Sequence, residues 1–271
     1  MYQVQAINSL DLPVLQPYRT MRRQQEHRDQ GIFVAEGEKV VRRLLESDFQ
    51  VVSLLIPERW LADLEPLLNR RPENVQVFVA EKKLLETLTG FSMYQGLLAV
   101  GRIPGQRTLE QLISNSSALR LLVAVDSLSS AENLGAVVRN CAALNVQGLI
   151  VGETSTSPFL RRAVRSSMGT IFQLPIVESD DLTQALRRLR DQGIRTIAAH
   201  PHTDGRTLSA VDFTRDCCIV FGSEGYGIAP AVLNTCDEKV AIPMPATVDS
   251  LNVASAAAAF LYEANRQRGK M

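Results

Sequence analysis

From residue 119 onward the chain alternates short apolar runs with helix-length amphipathic stretches, and this alternation restricts the fold more than any other feature. The run "LRLLVAV" (119–125) is almost wholly apolar, as a strand buried on both faces must be. The helical stretch "ENLGAVVRNCAALN" follows, then the strand "QGLIV". Ser157 and Pro158 are expected to cap and open a helix over "FLRRAVRSS", and "GTIFQLPIV" is expected to be a strand. In "DDLTQALRRLRDQG", Leu182, Ala185, Leu186 and Leu189 form one apolar stripe, and Gly193 closes the helix. "IRTIAA", "CCIVFG" and "EKVAIP" are further strands, and a last helix is expected from about residue 251 to 267. Strands alternating with helices predict an α/β fold with a mostly parallel sheet wrapped by helices.

The front half has its own alternation. "GIFVAEG", "QVVSLLI", "VQVFVA" and "QGLLAV" read as strands, with helices over "EKVVRRLLES", "RWLADLEPLL" and "EKKLLETLTG", the last closed by Gly90. The pattern breaks in "GRIPGQRTLEQLISNSSALR", whose Gly, Pro, Asn and Ser suit a linker with a short helix inside it. Two domains are therefore expected, 1–105 and 119–271, joined by a linker over 106–118. No internal repeat or low-complexity segment is evident.

Bulk properties narrow the class. At 271 residues and 45% hydrophobic content the chain can bury a sizeable core. No apolar run approaches a membrane span, and the start lacks the basic and apolar regions of a signal peptide. Cys141, Cys217, Cys218 and Cys236 form no CxxC pair, which suits buried free thiols in a reducing cytoplasm. The 29 basic and 29 acidic residues cancel, which argues against nonspecific coating of nucleic acid but leaves room for a local basic face.

In an open parallel sheet, ligands sit beyond the carboxyl ends of the strands. Four loops follow such ends: Asp126 to Arg139, "HPHTDG", "GSEGYG" and "PMPATVDSLN". They are expected to share one rim and form a composite pocket. "ENLGAVVRNCAALNVQGLIV", "IVFGSEGYGI" and "IPMPATVDSLNVASAAAAFLYEANRQR" resemble, in order and spacing, the three motifs of the SpoU-type (TrmH-like) RNA ribose 2'-O-methyltransferases of the SPOUT superfamily. "FVAEGEKVVRRLL" and "YQGLLAV" are similar to the L30e-like, ribosomal-protein-like substrate-binding domain often attached to those enzymes. The resemblance implies a C-terminal domain with a deep trefoil knot, S-adenosyl-L-methionine as cofactor, RNA as partner, a homodimer and a cytoplasmic location. Ribosomal RNA is the expected substrate over transfer RNA, by analogy with the front domain.

By motif match the catalytic set is Asn133, Arg139, Glu224, Ser250 and Asn252. A ribose hydroxyl is a poor nucleophile at neutral pH, so its pKa must be lowered or its proton taken. The resemblance implies that Arg139 activates the hydroxyl, either as a base or as an electrostatic clamp; because a guanidinium keeps its proton, it is better suited to grip the adjacent phosphate and stabilise the developing alkoxide. The plainer alternative is an exposed helix arginine; Asn133, Gly135 and Arg139 are expected to share a helix start and face. Glu224 is expected to orient Asn133 or Arg139, with the glycines around it permitting close backbone approach. Ser250 and Asn252 could simply cap the last helix; the match gives them the target ribose as well.

Ala199, His200, Gly222, Ile242, Met244 and Leu251 are the expected cofactor contacts, although His200 departs from the small or hydroxyl residue usual after Ala199. His200, His202 and Asp204 invite a metal reading, but no further Cys/His cluster supports it and no metal is expected. RNA contacts are expected from Arg19, Arg22 and Arg23, from Arg165 beside Arg161 and Arg162, and from Arg266 beside Arg268 and Lys270. For each cluster a solvated helix face is the bland alternative. Two rival functions remain: a catalytically inactive RNA-binding or ribosome-assembly protein of this fold, and a Rossmann-type nucleotide enzyme. The latter requires a G-x-G-x-x-G after a first strand, which the chain lacks. Without residues 1–105, the rest is expected to remain a folded, cofactor-binding dimer.

Overall fold

A computed structural model describes residues 1–89, 96–201, 206–245 and 247–269, apart from the side chains of Gln24 and Thr89. Gly90, His202, Asp204 and Lys270, which the sequence reading used, lie outside the described residues. The chain forms two compact units, Met1–Gly105 with Phe159–Phe172, and Gln106–Pro158 with Gln173–Met271.

The first unit is built on a mixed sheet of β1 (Tyr2–Ala6), β2 (Ile32–Glu36), β3 (Val51–Ile56), β4 (Val75–Val79) and β5 (Leu98–Arg102), in the order β1-β4-β3-β5-β2. β1 pairs parallel to β4 and β4 to β3, while β5 runs antiparallel to both β3 and β2. β1 escapes a sequence reading because four of its five residues are exposed at the sheet edge. One core cluster gathers Leu15, Tyr18, Val34, Leu55, Phe78 and Leu98. The Tyr18 hydroxyl is kept satisfied inside it by Ser53 Oγ at 2.8 Å.

The segment Phe159–Phe172 belongs to this first unit, not to the second domain in which the sequence places it. Phe159 and Phe172 stack against Phe33 at centroid distances of 5.8 and 5.5 Å, and both also meet Phe49. Arg161 and Arg165 both bind the buried Glu36 carboxylate, Arg165 at 3.0 Å. The helix here runs Arg161–Ser166, with Leu160 rather than Ser157 at its N-cap and no side-chain cap bond. Of "GTIFQLPIV", only Ile176 and Val177 are strand. Thr170–Phe172 is a 3₁₀ turn, and the pairing strand begins at Ile176.

The second unit holds a sheet of β6 (Leu121–Val125), β7 (Gly148–Val151), β8 (Ile176–Glu178), β9 (Arg195–Ala199), β10 (Arg206–Thr207), β11 (Cys217–Phe221) and β12 (Glu238–Ala241). All six pairings are parallel, in the order β10-β12-β9-β11-β6-β7-β8. β11 thus lies between β9 and β6, and β12 lies outside β9. Every residue of β6 is buried, as its unbroken apolar run requires. The stripe Leu182, Ala185, Leu186 and Leu189 is buried, and Asp181 caps its helix by accepting from Gln184 N at 2.8 Å.

The expected linker is less of a linker than its composition implies. Thr108 and Gln111 close a capping box at 3.2 and 3.0 Å, and the helix Leu109–Asn115 sends Leu109 and Leu112 into the second unit's core. Gly148 makes room for it, since a Cβ there would come within 2.3 Å of Leu112 Cδ1. The long helices Ala131–Ala143 and Val253–Gln267 are tied side by side by polar bonds. Asn140 Nδ2 donates to the Ala254 carbonyl at 2.7 Å, and the buried Asn265 donates to the Leu144 carbonyl at 2.7 Å. Small alanines on the last helix allow that close approach.

Candidate active site

A cavity of about 290 Å³ opens in the second unit beyond the carboxyl ends of β9, β11 and β12. Its apolar wall comes from Phe221, Val240, Val253 and Phe260, with Phe221 and Phe260 meeting edge to face at 5.7 Å. The six expected cofactor residues, Ala199, His200, Gly222, Ile242, Met244 and Leu251, all line this cavity. Glu224 and Ser250 of the expected catalytic set line it too.

The turn after β11 is rigid by construction. Ser223 and Gly227 exchange two backbone bonds at 2.9 Å, and Ser223 Oγ accepts from Tyr226 N at 3.1 Å. Gly227 has φ +69°, and a Cβ on Gly222 would come within 2.2 Å of Gly227 backbone, so this doubling-back admits no larger residue at Gly222. Asp126, buried at the end of β6, anchors the far side by accepting from Ala229 N at 2.6 Å. The loop therefore presents Glu224 and Tyr226 from a fixed base.

Three distant segments meet at Asn252. Its Oδ1 caps the last helix by accepting from Ala254 N at 2.9 Å. Its Nδ2 donates to Asn133 Oδ1 at 3.2 Å and also to Glu224 Oε1. Asn133 is in turn positioned by the start of its helix, where Ser130 Oγ accepts from Asn133 N at 3.3 Å. Glu224 is thus partnered with Asn252, not with Asn133 or Arg139 as the sequence reading expects. Asn252 does the capping expected of it, whereas Ser250 caps nothing: its exposed hydroxyl makes no hydrogen bond among the described residues.

Arg139 stands apart from this trio. It is exposed, does not line the cavity, and makes no hydrogen bond or ion pair among the described residues. Asn133 is half-buried and Gly135 is buried, so the three do not share a face. Six residues along an α-helix turn through about 240°, which carries Arg139 away from Asn133.

The expected RNA cations are mostly neutralised. Arg19 lies 3.7 Å from Asp11, Arg23 is 2.9 Å from Glu26, and Arg165 shares Glu36 with Arg161. Arg266 forms a two-pronged bond to Glu263 at 2.8 Å on each arm, which holds the Glu263 carboxyl down at about 2. Arg22 is exposed. Arg268 is spent on the chain itself, donating to the carbonyls of Phe213, Leu119, Arg120 and Arg215. The metal reading needs His202 and Asp204, which lie outside the described residues. Among the cavity residues that sequence reasoning did not single out are the polar Asp249 and Tyr226 and the apolar Phe221, Val240, Val253 and Phe260. Tyr226 is 97% exposed, and an aromatic between two glycines in a turn gives no periodic signal.

Comparison with known proteins decides the family. Residues 120–262 match the model of the SpoU rRNA Methylase family. A relative in Mycobacterium tuberculosis, an uncharacterized tRNA/rRNA methyltransferase, is 33% identical over 97% of this chain and 92% of its own length. The chain belongs to the SpoU rRNA methylase family. It is an RNA methyltransferase of that family. The SpoU methyltransferase AviRb of Streptomyces viridochromogenes, solved in complex with the cofactor AdoMet, superposes with a TM-score of 0.81 at 27% identity, covering 93% of this chain and 97% of that one. An AdoMet-bound rRNA methyltransferase of Sinorhizobium meliloti shares the fold at a TM-score of 0.84, 23% identity and coverage of 97% and 98%. The cavity of this SpoU chain suits that cofactor: it has an apolar wall for an adenosine, a glycine-built turn exposing backbone, and carboxylates facing a cationic ligand.

Proposed function

We propose that this SpoU methylase transfers a methyl group from S-adenosylmethionine to a ribose 2'-hydroxyl of RNA. The observation that carries the reading is the bridge made by Asn252 between Asn133 and Glu224 at the mouth of the cavity. S-adenosylmethionine, when bound, supplies an electrophilic methyl on a sulfonium sulfur. The chain's own residues must then hold a sugar oxygen in line with that methyl and favour loss of its proton.

Asn133, Asn252 and Glu224 form the fixed frame against which the ribose is placed. Glu224 acts as a positioning residue, fixing which way the Asn252 amide points. Ser250, with a free hydroxyl on the cavity wall, contacts the sugar directly. Arg139, uncommitted among the described residues, grips the neighbouring phosphate and stabilises the negative charge that develops on the 2' oxygen. The exposed ring of Tyr226 supports a substrate nucleotide that is unstacked from its neighbours, since a free aromatic face is what such a base stacks on.

The same proposal assigns the first unit, of L30e-like type, to reading the RNA, with ribosomal RNA as the substrate, in the cytoplasm. Arg19, Arg23 and Arg165 of this unit and Arg266 of the second would have to exchange their carboxylate partners for phosphate, and the exposed Arg22 would have to leave its present interaction. The placement of β11 between β9 and β6 supports the knotted chain path expected of this family, and the exposed Arg139 supports a homodimer in which substrate is gripped across subunits. No described helix is long and apolar enough to cross a membrane. The test is to incubate the protein with total RNA and labelled S-adenosylmethionine, then digest to nucleosides. Label in 2'-O-methylnucleosides of ribosomal RNA is expected; label confined to methylated bases overturns the ribose assignment.

A further inference from the structure

The formal charges around the cavity carry an inference about how the spent cofactor leaves. Among its described lining residues are two carboxylates, Glu224 and Asp249, and neither a lysine nor an arginine. Glu224 is committed to Asn252. Asp249 makes no hydrogen bond or ion pair among the described residues and stands exposed on the segment just before Ser250 and Leu251, both of which line the cavity. A carboxylate held on a pocket wall without a partner lowers the energy of a cation in that pocket and does nothing comparable for a neutral group.

Methyl transfer changes one formal charge on the cofactor. The donor carries a positive sulfonium; once the methyl has left, the sulfur is a neutral thioether, and the rest of the molecule is unaltered. Shape and apolar contacts treat the two forms nearly alike, so a wall of hydrophobic residues cannot tell donor from product. A fixed negative charge can. We propose that Asp249 is the charge-selective residue of this cavity, favouring the sulfonium donor over the demethylated product and so easing product exchange. This inference rests on the S-adenosylmethionine reading of the cavity.

Because Asp249 is solvated, its preference is screened and modest, on the order of three- to tenfold in relative affinity. Asp249 falls within a loop expected to face the pocket, but an acidic residue ahead of a Ser-Leu-Asn step reads as ordinary helix-start polarity. Its significance comes from the cavity and from the lack of a lysine or arginine among the described lining residues.

Calorimetric titration of the full chain with S-adenosylmethionine and with S-adenosylhomocysteine tests this directly. The wild type is expected to bind the sulfonium form more tightly, with the preference shrinking between about 0.02 M and about 0.5 M salt. Asp249→Asn should weaken the sulfonium form by about three- to tenfold and leave the thioether unchanged, while Asp249→Glu should keep most of the preference. Equal losses for both ligands, or a wild-type ratio indifferent to salt, overturn the role of Asp249. The salt series needs no variant, so a poorly folded substitution does not spoil the test. A wild type that binds neither ligand would instead remove the cofactor reading itself.

Discussion

The side-chain amide of Asn252 donates at once to Asn133 Oδ1 and Glu224 Oε1 while its carbonyl oxygen caps the last helix, so one residue ties three separate loops together. Glu224 has no other bonded partner among the described residues, which makes its chief task the orientation of that amide. Glu224→Gln is expected to cost little in cofactor affinity, because glutamine keeps the shape of the cavity wall and Asp249 keeps a carboxylate on it, but to let the amide turn. The expected result is a fall in kcat for methyl transfer of about 10- to 100-fold, with the Kd for S-adenosylmethionine moving less than about threefold. Steady-state kinetics paired with calorimetry measures both; a parallel loss of binding and turnover would show that Glu224 holds the cofactor instead.

Arg139 gives a complementary prediction. Its guanidinium has no partner among the described residues, so removing it should leave fold and cavity intact. Arg139→Ala is expected to reduce methyl transfer by at least about 100-fold with unchanged melting temperature and unchanged S-adenosylmethionine binding. Arg139→Lys should recover part of the phosphate grip but little of the two-pronged geometry. Wild-type rates in the alanine variant would remove Arg139 from the mechanism.

What could be read in the sequence was whatever depends on near neighbours. The apolar run of β6, the stripe from Leu182 to Leu189 and the order of the three motifs each announce themselves within a short window, and the residues named for the cofactor lie on one cavity. Strands β1 and β10 were missed because edge strands need little apolar content; β10 is two residues long and both are exposed. Long-range electrostatics were equally hidden. Arg161 and Arg165 look like a free basic face until Glu36, far away in the chain, is found between them. The partner of Glu224 was misassigned for the same reason, since spacing along a helix says nothing of a residue 28 positions further on.

Truncation of the front domain follows from that lesson. Sequence alone suggests that residues 106–271 survive without the rest. Phe159 and Phe172 nevertheless pack on Phe33 and Phe49 of the first unit, and Arg161 and Arg165 are paired with its Glu36. Deleting residues 1–105 would strip partners from two aromatic rings, each contributing on the order of 2 kcal/mol through burial. The fragment is expected to aggregate or to melt at least several degrees below the full chain. Restoring polarity with Phe159→Ser and Phe172→Ser should improve its solubility. A monodisperse fragment with an undiminished melting temperature would show that the segment is stable without its aromatic neighbours.

The thiols set an alkaline limit on stability. Burial raises Cys217 to about 11 and Cys236 to about 12, and pushes Cys141 and Cys218 up as well. The folded chain therefore holds these protons more tightly than the unfolded chain does. Their contribution is complete below the ordinary thiol value near 9 and is lost progressively as pH rises through 11 to 12, because the unfolded chain then gains by releasing protons that the folded one retains. Denaturant midpoints are expected to be flat from about pH 7 to 8 and to fall above about pH 9. Cys236, the one thiol not fully buried, should be alkylated first in the native protein at pH 8, with the other three reacting only on unfolding. Cys236→Ala should flatten part of the alkaline decline. Rapid native alkylation of Cys218 at pH 8 would mean that β11 opens far more often than its complete burial allows.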